Sequence, residues 1–351
     1  MEIQRPDLSG VSPAVRAYIE GLEAKVERLR PRRRKQHTST PTPILEPVLE
    51  PNEPPTTMGV ITINTKSVAK RSFRHLYTRQ RRGGMGVFDL ETPEKEPPAH
   101  LVVADEEETL LLISNFARAY HLPVKKLEAS GVRYRGRKLS AFLVLDRGER
   151  IVLALPCPTM GAVAIVTQTG NVRRYQHHSF RPTMPPGMLL YSLAQFGSPA
   201  AACLTSGNQE LFIVSRKGRA IRFPEKQIPP TGSPGIRLKD NDAVVGIAPI
   251  REDSGVFLLT ADGKGTIRLM EGFGANKRPG AAGKVAMKGD NLVGAVTVEQ
   301  TDDLFIISRL SKIVRFGAED VPRKTGPVQG VHCMALRGDE AMAVVAGRVY
   351  K

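Results

Sequence analysis

The chain has 351 residues, and 41% of them are hydrophobic, which is enough to fill a sizeable core and excludes wholesale disorder. Its 32 glycines and 27 prolines imply many turns, as in folds built from short strands. The formal net charge is +16, and residues 58–351 hold +15 of it. A basic globular body of this kind favours a polyanionic partner, nucleic acid by default, over a membrane surface.

The N-terminal segment, residues 1–30, is predicted to contain a helix over 12–30. Ser12 can cap this helix, and Pro13 suits its first position. Five apolar residues are spaced as in the seam of a two-heptad coiled coil. They are Val15, Ile19, Leu22, Val26 and Leu29. The pattern leaves two alternatives open: self-association into a homodimer, or docking onto the main body.

Residues 31–57 are predicted to be a basic, Pro-rich linker. Arg30–Lys35 is a dense cluster of cations, which fits either a DNA minor groove or a solvated helix exit. Six prolines follow between residues 38 and 57, together with several threonines. This composition is typical of an extended connection and not of a packed element.

An internal repeat begins at residue 58 and is the strongest feature of the sequence. Six segments share an apolar strand, a polar turn and a second strand that carries a cation. They start at Val60, Leu110, Val163, Leu211, Val256 and Leu304. A second module of two short strands closes the repeats and is clearest at Gly235–Val245, Gly283–Val293 and Gly330–Met342. Two hairpins in a period near 50 residues predict a propeller-type ring of six four-stranded blades over 58–351, an all-β fold.

The second strand of each repeat carries a positive group at what the pattern indicates is one register. These groups are Arg71, His121, Arg174, Arg222, Arg268 and Arg315. Cations at the neighbouring turns add to them, namely Lys217, Arg219, Lys264 and Lys312. Equal register in equal blades predicts a curved track of positive charge, which would contact the phosphates of duplex DNA and read little sequence. Ordinary solvated charges are the alternative.

The first repeat contains a Gly-rich basic loop, Gln80-Arg-Arg-Gly-Gly-Met-Gly86. Its glycines permit close backbone approach, and its backbone N–H groups can form an anion-holding concavity. The heptad resembles the gyrase A box of bacterial DNA gyrase, Q-R-R-G-G-(R/K)-G, and matches it at six of seven positions. The matching residues are Gln80, Arg81, Arg82, Gly83, Gly84 and Gly86. Met85 departs from the pattern and removes one cation.

The resemblance extends over about residues 58–351. Gly218-Arg-Ala-Ile-Arg-Phe-Pro-Glu225 and Gly235-Ile-Arg-Leu-Lys239 are similar to the later repeats of the same C-terminal domain, found in the A subunits of DNA gyrase and topoisomerase IV. It implies a six-bladed β-pinwheel that bends and wraps DNA around its edge, with the box closing the ring. With Met85 in the box, the resemblance implies weaker wrapping or a changed handedness.

No catalytic site is predicted. The family's cleavage domains need several hundred residues, and 57 precede the ring; Arg133-Tyr134 and Arg174-Tyr175 lie in the repeats, outside the helical context that the cleavage pair needs. No phosphate-binding loop for ATP occurs, the histidines and cysteines lack metal-ligand spacing, and no cofactor is expected. Cys157, Cys203 and Cys333 are expected to be free thiols.

The sequence therefore favours a non-catalytic DNA-wrapping protein that contributes to DNA topology. Duplex DNA is the expected partner, gyrase or topoisomerase subunits are further candidates, and no membrane partner is expected. The expected location is the cytoplasm, in association with the nucleoid, because signal-peptide and membrane-span patterns are absent. Two alternatives stay open: the wrapping subunit of a split type IIA topoisomerase, and a propeller that acts as a protein-interaction scaffold.

Overall fold

The computed structural model describes residues 10, 12–29, 53–276 and 278–347. These residues fall into two units, a helical one before residue 49 and a ring of sheets after it. The basic cluster Arg30–Lys35 and most of the predicted linker lie outside the described residues. The predicted helix is confirmed: α1 spans Pro13–Leu29. Val15 and Leu22 of its apolar stripe are each 46% exposed within the described chain.

The strands are short, and most come in pairs joined by tight turns. In chain order they are Met58–Asn64 (β1), Val68–Phe73 (β2), Val87–Phe88 (β3), Pro98–Asp105 (β4), Thr109–Ser114 (β5), Arg118–Pro123 (β6), Arg137–Lys138 (β7), Ile151–Pro156 (β8), Ala162–Thr167 (β9), Asn171–Gln176 (β10), Met188–Leu189 (β11), Pro199–Thr205 (β12), Glu210–Ser215 (β13), Arg219–Pro224 (β14), Ser233–Pro234 (β15), Val244–Ile250 (β16), Gly255–Thr260 (β17), Lys264–Leu269 (β18), Lys284–Val285 (β19), Leu292–Val298 (β20), Asp303–Ser308 (β21), Lys312–Gly317 (β22), Arg323–Lys324 (β23), Val331–His332 (β24) and Ala341–Gly347 (β25). One short helix, Leu193–Phe196 (α2), and six 3-10 turns connect them. These turns are Arg74–Leu76, Val124–Lys126, Leu139–Ala141, His177–Phe180, Glu225–Gln227 and Ala318–Asp320.

The strands form six sheets, here called blades 1 to 6. From the inner strand outward, their orders are β4-β1-β2-β7, β8-β5-β6-β11, β12-β9-β10-β15, β16-β13-β14-β19, β20-β17-β18-β23 with β24 also on β18, and β25-β21-β22-β3. The inner strands contact one another in sequence, and β25 contacts β4, so the blades close into a ring. The predicted six-bladed pinwheel is confirmed.

Burial on both faces explains why the long strands are continuous apolar runs. Each of the six buried apolar clusters lies between two neighbouring blades. A sheet covered on both sides needs apolar residues on both faces, so alternation disappears, as in Leu211–Val214. The seam between blades 6 and 1 has the smallest of these clusters, with six fully buried apolar residues against 11 to 14 at the other seams.

The blades differ from the predicted hairpin pairs in one respect: each outermost strand comes from the following repeat. For example, β7 follows β6 in the chain but pairs with β2 of blade 1. The last exchange runs backwards, since β3 of the first repeat pairs with β22 of blade 6. Sequence periodicity sets the size of the unit and cannot show which blade an edge strand joins. The exchange therefore links every blade to its neighbour and closes the ring.

A glycine precedes most of these exchanged strands because the two backbones approach closely there. A Cβ added at Gly86, whose φ is +71°, would lie 2.5 Å from the carbonyl oxygen of Ile313. A Cβ at Gly136 would lie equally close, at 2.5 Å, to the carbonyl oxygen of Ala69. Larger residues would separate the strands, so these glycines are a condition of the exchange.

Candidate nucleic-acid interface

Five of the six repeated positive groups occupy equivalent places, each as the fourth residue of the second strand of its repeat. They are Arg71, His121, Arg174, Arg222 and Arg315. The structure does not place them on an open track: Arg71 and Arg315 are 5% and 4% exposed, and the other three are half-buried. A cation removed from water needs partners. Arg71 forms an ion pair with Glu106 at 3.5 Å, while its buried Nε and Nη1 have no hydrogen-bond partner among the described residues.

Arg315 shows the role of this position. Its Nε donates to Asp303 at 2.7 Å, and its Nη1 donates to the carbonyl oxygens of Arg74 and Tyr77 at 3.3 and 3.2 Å. Its Nη2 forms an ion pair with Glu53 at 2.5 Å. Arg315 belongs to blade 6, whereas Arg74 and Tyr77 follow β2 of blade 1. The side chain therefore ties the two blades together.

Glu53, which precedes β1, completes this arrangement at the seam between blades 6 and 1. It accepts a hydrogen bond from Arg74 Nε at 3.0 Å in addition to the one from Arg315. Burial raises the pKa of Glu53, but the hydrogen bonds from Arg315 and Arg74 outweigh this and hold the pKa below its ordinary value of 4.5. The carboxylate is therefore charged at neutral pH and balances two largely buried guanidiniums.

The same kind of tie joins blades 4 and 5. Arg222 of blade 4 pairs with Glu210 and donates to the carbonyl oxygens of Met270 and Phe273, at 2.8 and 3.0 Å, which follow β18 of blade 5. The position is therefore a seam clamp in at least two places around the ring. A cation recurs at this position because the contact between neighbouring blades recurs.

Arg268 does not share the register that the sequence pattern indicated. It pairs with Val256, while the preceding residue Ile267 pairs with Phe257 and occupies the place that Arg222 has in its repeat. A shift of one residue turns a side chain to the opposite face of a strand. Arg268 is 3% exposed, and its Nη2 donates to the carbonyl oxygen of Gly272 at 3.0 Å.

His121 carries a different chemistry from the arginines of the series. Its Nε2 lies 3.5 Å from Cys157 Sγ. Burial lowers the pKa of His121 and raises the pKa of the Cys157 thiol, so both groups are neutral at pH 7. Blade 2 therefore lacks the positive charge that the sequence assigned to it.

The four turn cations are nearer to solvent. Lys217 is exposed, and Lys264 is half-buried and pairs with Asp262 at 2.8 Å. Arg219 is half-buried because it donates to the carbonyl oxygens of residues 282 and 283, at 3.1 and 2.6 Å, in the segment that leads into β19. The Lys312 ammonium lies 5.3 Å from the centre of the Phe88 ring. Two of the four thus face exchanged strands.

The Gly-rich loop, residues 80–86, lies at the outer edge of blade 6. Its backbone is fixed at its first residue and at its middle: Gln80 N–H donates to Arg315 O at 2.7 Å, and Gly83 N–H donates to Cys333 O at 2.8 Å. Arg81 and Arg82 are exposed, and Arg82 also donates to a backbone carbonyl oxygen at 3.3 Å. The loop therefore closes the ring through its backbone and presents two guanidiniums to solvent.

A second basic loop, residues 131–138, was not singled out by the sequence as a site. It enters β7 at the outer edge of blade 1. Its cations, Arg133, Arg135, Arg137 and Lys138, are exposed. A positional signal existed, since Gly86 and Gly136 each lie 26 residues after the first residue of their repeats.

Comparison with known proteins agrees with this architecture. A family model described as the DNA gyrase C-terminal domain, a β-propeller, matches residues 209–251 and 302–345, which form blades 4 and 6. The chain is 27% identical over 298 residues to the DNA gyrase A subunit of Ureaplasma parvum, covering 82% of this chain and 35% of that protein. It is 28% identical over 321 residues to the gyrase A subunit of Helicobacter pylori, covering 88% and 38%.

The ring is similar in fold to the DNA gyrase A C-terminal domains. A solved structure of such a domain superposes with a TM-score of 0.73 at 20% identity, covering 82% of this chain and 99% of that one. The C-terminal domain of a DNA topoisomerase IV superposes with a TM-score of 0.59 at 19% identity, covering 82% and 93%. At these identities the superpositions establish the fold alone. The chain spans about a third of the length of the gyrase A subunits that it matches.

Other kinds of site find little support in the part of the chain that the structure describes. Among the described residues, no group of three or more His, Cys, Asp or Glu side chains is arranged to hold a metal ion. No helix in this part of the chain is long and apolar enough to cross a membrane. The three cysteines are free thiols, and burial raises the pKa of Cys333 to about 12. The exposed cations at the outer edge of the ring form the candidate site.

Proposed function

We propose that this gyrase-type ring binds duplex DNA along its outer edge, without regard to sequence, and bends it around the disc. The observation that carries the proposal is the pair Arg81 and Arg82, two exposed guanidiniums on a loop whose backbone is fixed at the ring-closing strand. Rigidly held cations contact phosphates at small entropic cost, and phosphate contacts carry no sequence information. The family match and the net charge of +15 over residues 58–351 support the same conclusion.

The function contains no covalent step by this chain. The ring is proposed to hold the duplex in a bent form along its curved edge. Bending a duplex by about 90° costs on the order of 1–6 kcal/mol, which the phosphate contacts have to offset. Exposed cations, namely Arg81, Arg82 and Lys217, are proposed to contact DNA directly. The clamps at Arg222 and Arg315 are proposed to serve DNA binding by holding the blades in place. Arg71, Arg174 and Arg268 are proposed to serve it from largely or partly buried positions, with neutral His121 as the exception.

The decisive experiment measures binding and wrapping together. The full chain is bound to relaxed plasmid, a nicking-closing enzyme is added, and the change in linking number is read after the protein is removed. We expect a non-zero change whose sign gives the handedness, and a smaller change for Arg81→Ala/Arg82→Ala. The matched control is Arg147→Ala/Arg150→Ala, a pair of exposed arginines outside the Gly-rich loop. An unchanged linking number for the wild type would refute wrapping.

Gyrase or topoisomerase subunits are the proposed protein partners. The support is that 35% and 38% of two gyrase A subunits match this chain, so the ring corresponds to one part of a larger machine. A supercoiling assay with and without added cleavage and ATPase subunits tests this. If supercoiling by the added subunits increases only when the ring is present, the result supports partnership. If supercoiling does not increase, an architectural DNA-binding role is the remaining proposal.

The helix α1 is proposed to form a homodimer. Val15 and Leu22 lie seven residues apart on its apolar stripe and are each 46% exposed, which suits a coiled-coil seam. Light scattering of the wild type and of Val15→Asp/Leu22→Asp tests this. A wild-type monomer at micromolar concentration would refute it.

A further inference from the structure

The loop at residues 131–138 has on blade 1 the place that the Gly-rich loop has on blade 6. Strand β7 pairs Arg137 with Ala69, just as β3 pairs Val87 with Ile313. The glycine before each of these residues makes the same close approach to a backbone carbonyl oxygen, at 2.5 Å from an added Cβ. The two loops are therefore structural equivalents on neighbouring blades.

This equivalence places Arg135 where the first loop has Met85. Each residue directly precedes the glycine of its loop, Gly136 or Gly86. Met85 is 48% exposed, so its position faces solvent, and the Arg135 side chain is 80% exposed. The cation that the first loop lacks is thus present at the same place one blade further on.

The ion pairs of the second loop are exposed and weak. Arg135 pairs with Glu91 at 3.1 Å, and Arg137 pairs with Glu128 at 3.4 Å. All four side chains are more than half exposed. Pairs of this kind contribute little to stability and are screened by salt, so a phosphate can replace the carboxylate.

The second loop also contacts the segment that follows β3. Tyr134 exchanges backbone hydrogen bonds with the segment after β3, donating to Asp89 O at 3.1 Å and accepting from Glu91 N–H at 3.0 Å. Between the loops, the Phe88 ring lies 5.6 Å from the Arg133 guanidinium and 5.3 Å from the Lys312 ammonium. Phe88 is thus flanked by one cation of blade 6 and one cation of the second loop on blade 1.

A groove of about 500 Å³ runs along the inner side of the second loop. Its lining includes Ser130, Tyr134, Arg135 and Arg137 from the loop and Ala69 from the strand β2 beside it. Glu128 also lines it, at the exposed rim. The groove gives a phosphate backbone a concave seat between two arginines.

We propose that residues 133–138 form a second site for the phosphates of duplex DNA, joined to Arg81 and Arg82 in one basic surface across blades 6 and 1. Arg135 supplies at this site the cation that Met85 withholds from the first loop. This inference rests on the proposed function, since it names a contact site for the same ligand. DNA would therefore contact the ring across the seam between blades 6 and 1.

The test removes three exposed cations, in Arg135→Gln/Arg137→Gln/Lys138→Gln. Binding of the full chain to a duplex of random sequence is measured between 50 and 200 mM salt. The slope of log K against log salt is negative, and each lost phosphate contact reduces its magnitude by about 0.9, so we expect the magnitude to fall by about 2.7. A thermal melt checks that the variant folds, as exposed side chains lead us to expect.

The matched control lowers the charge by the same amount on the opposite side of the ring. Lys226→Gln/Arg237→Gln/Lys239→Gln changes three exposed cations of the repeat that forms blade 4. We expect its slope to fall by less than half as much. If both variants lose equally, net charge and not this site governs binding, and the inference is overturned while the proposed function stands. If the wild type shows no salt-dependent binding, the proposed function itself fails.

A swap tests the correspondence of Arg135 with Met85 directly. Arg135→Gln is expected to reduce the magnitude of the slope of log K against log salt by about 0.9. Met85→Arg in that background is expected to restore the slope. A Met85→Gln substitution in the same background controls for loss of the thioether. Failure of Met85→Arg to restore any slope would show that the two positions do not serve one surface.

Discussion

Two sets of cations in this ring carry the same charge and perform different work. Arg315 and Arg268, on long strands, are 4% and 3% exposed and bind carbonyl oxygens inside the ring. Arg135 and Arg137, on an exchanged loop, have side chains 80% and 56% exposed and form ion pairs with surface carboxylates. In this ring, a cation that recurs from repeat to repeat lies at the contact between neighbouring blades. An exposed cation on a loop with a fixed backbone lies on a candidate binding surface.

The largest effect that separates the two sets is expected from Arg315→Ala. The substitution leaves Asp303 and Glu53 with reduced compensation in a buried place, which costs about 3–5 kcal/mol of unfolding free energy. Urea denaturation followed by circular dichroism measures it. Arg81→Ala is the control and should leave the midpoint unchanged. A stable Arg315→Ala protein with weakened DNA binding would reverse the assignment of this residue.

A smaller loss of unfolding free energy is expected from Gly86→Ala. The added Cβ would meet the Ile313 carbonyl at 2.5 Å, and alanine is strained at a φ of +71°, so we expect destabilisation by about 2–4 kcal/mol. Gly131→Ala, where an added Cβ meets nothing within 4 Å, is the control on the neighbouring loop. The same urea titration compares them. Equal stability of the two variants would contradict a closing role for the Gly86 approach.

The smallest effect concerns Glu53→Gln and its dependence on pH. Loss of the charged acceptor for Arg315 and Arg74 is expected to cost about 1–2 kcal/mol at pH 7. Because the folded pKa of Glu53 lies below 4.5, its contribution is fully present above that value and is lost as pH falls through the folded pKa. The difference between wild type and variant should thus be constant from pH 6 to 8 and shrink below pH 4.5. A constant difference down to pH 3 would exclude Glu53 as its source.

The fold was predictable from the sequence because it depends on periodicity. Strands such as Leu211–Val214 must be covered on both faces, and a period near 50 residues leaves a ring as the way to cover them. The exchange of edge strands was not predictable. It depends on which backbone lies beside Val87–Phe88, and a two-residue strand carries no pattern that names its partner.

The candidate site was predictable only in part. The Gly-rich loop was found because a family motif marks it, and residues 131–138 were overlooked because they match no motif. The register of Arg268 could not be predicted from the sequence, because a shift of one residue along the strand moves a side chain to the other face of the sheet. Burial of Arg71 and Arg315 depends on the neighbouring blade, which strand alternation within one sheet does not include.

The backward exchange of β3 has a consequence for how the protein is made. Strand β3 leaves the ribosome about 220 residues before β22, the strand that it completes. Until the last repeat is synthesised, the first carries an unpaired edge, and blade 6 cannot be finished without it. The ring can therefore close only after its last repeat is made, and a nascent chain paused before that repeat presents an open arc with an unpaired strand edge at each end.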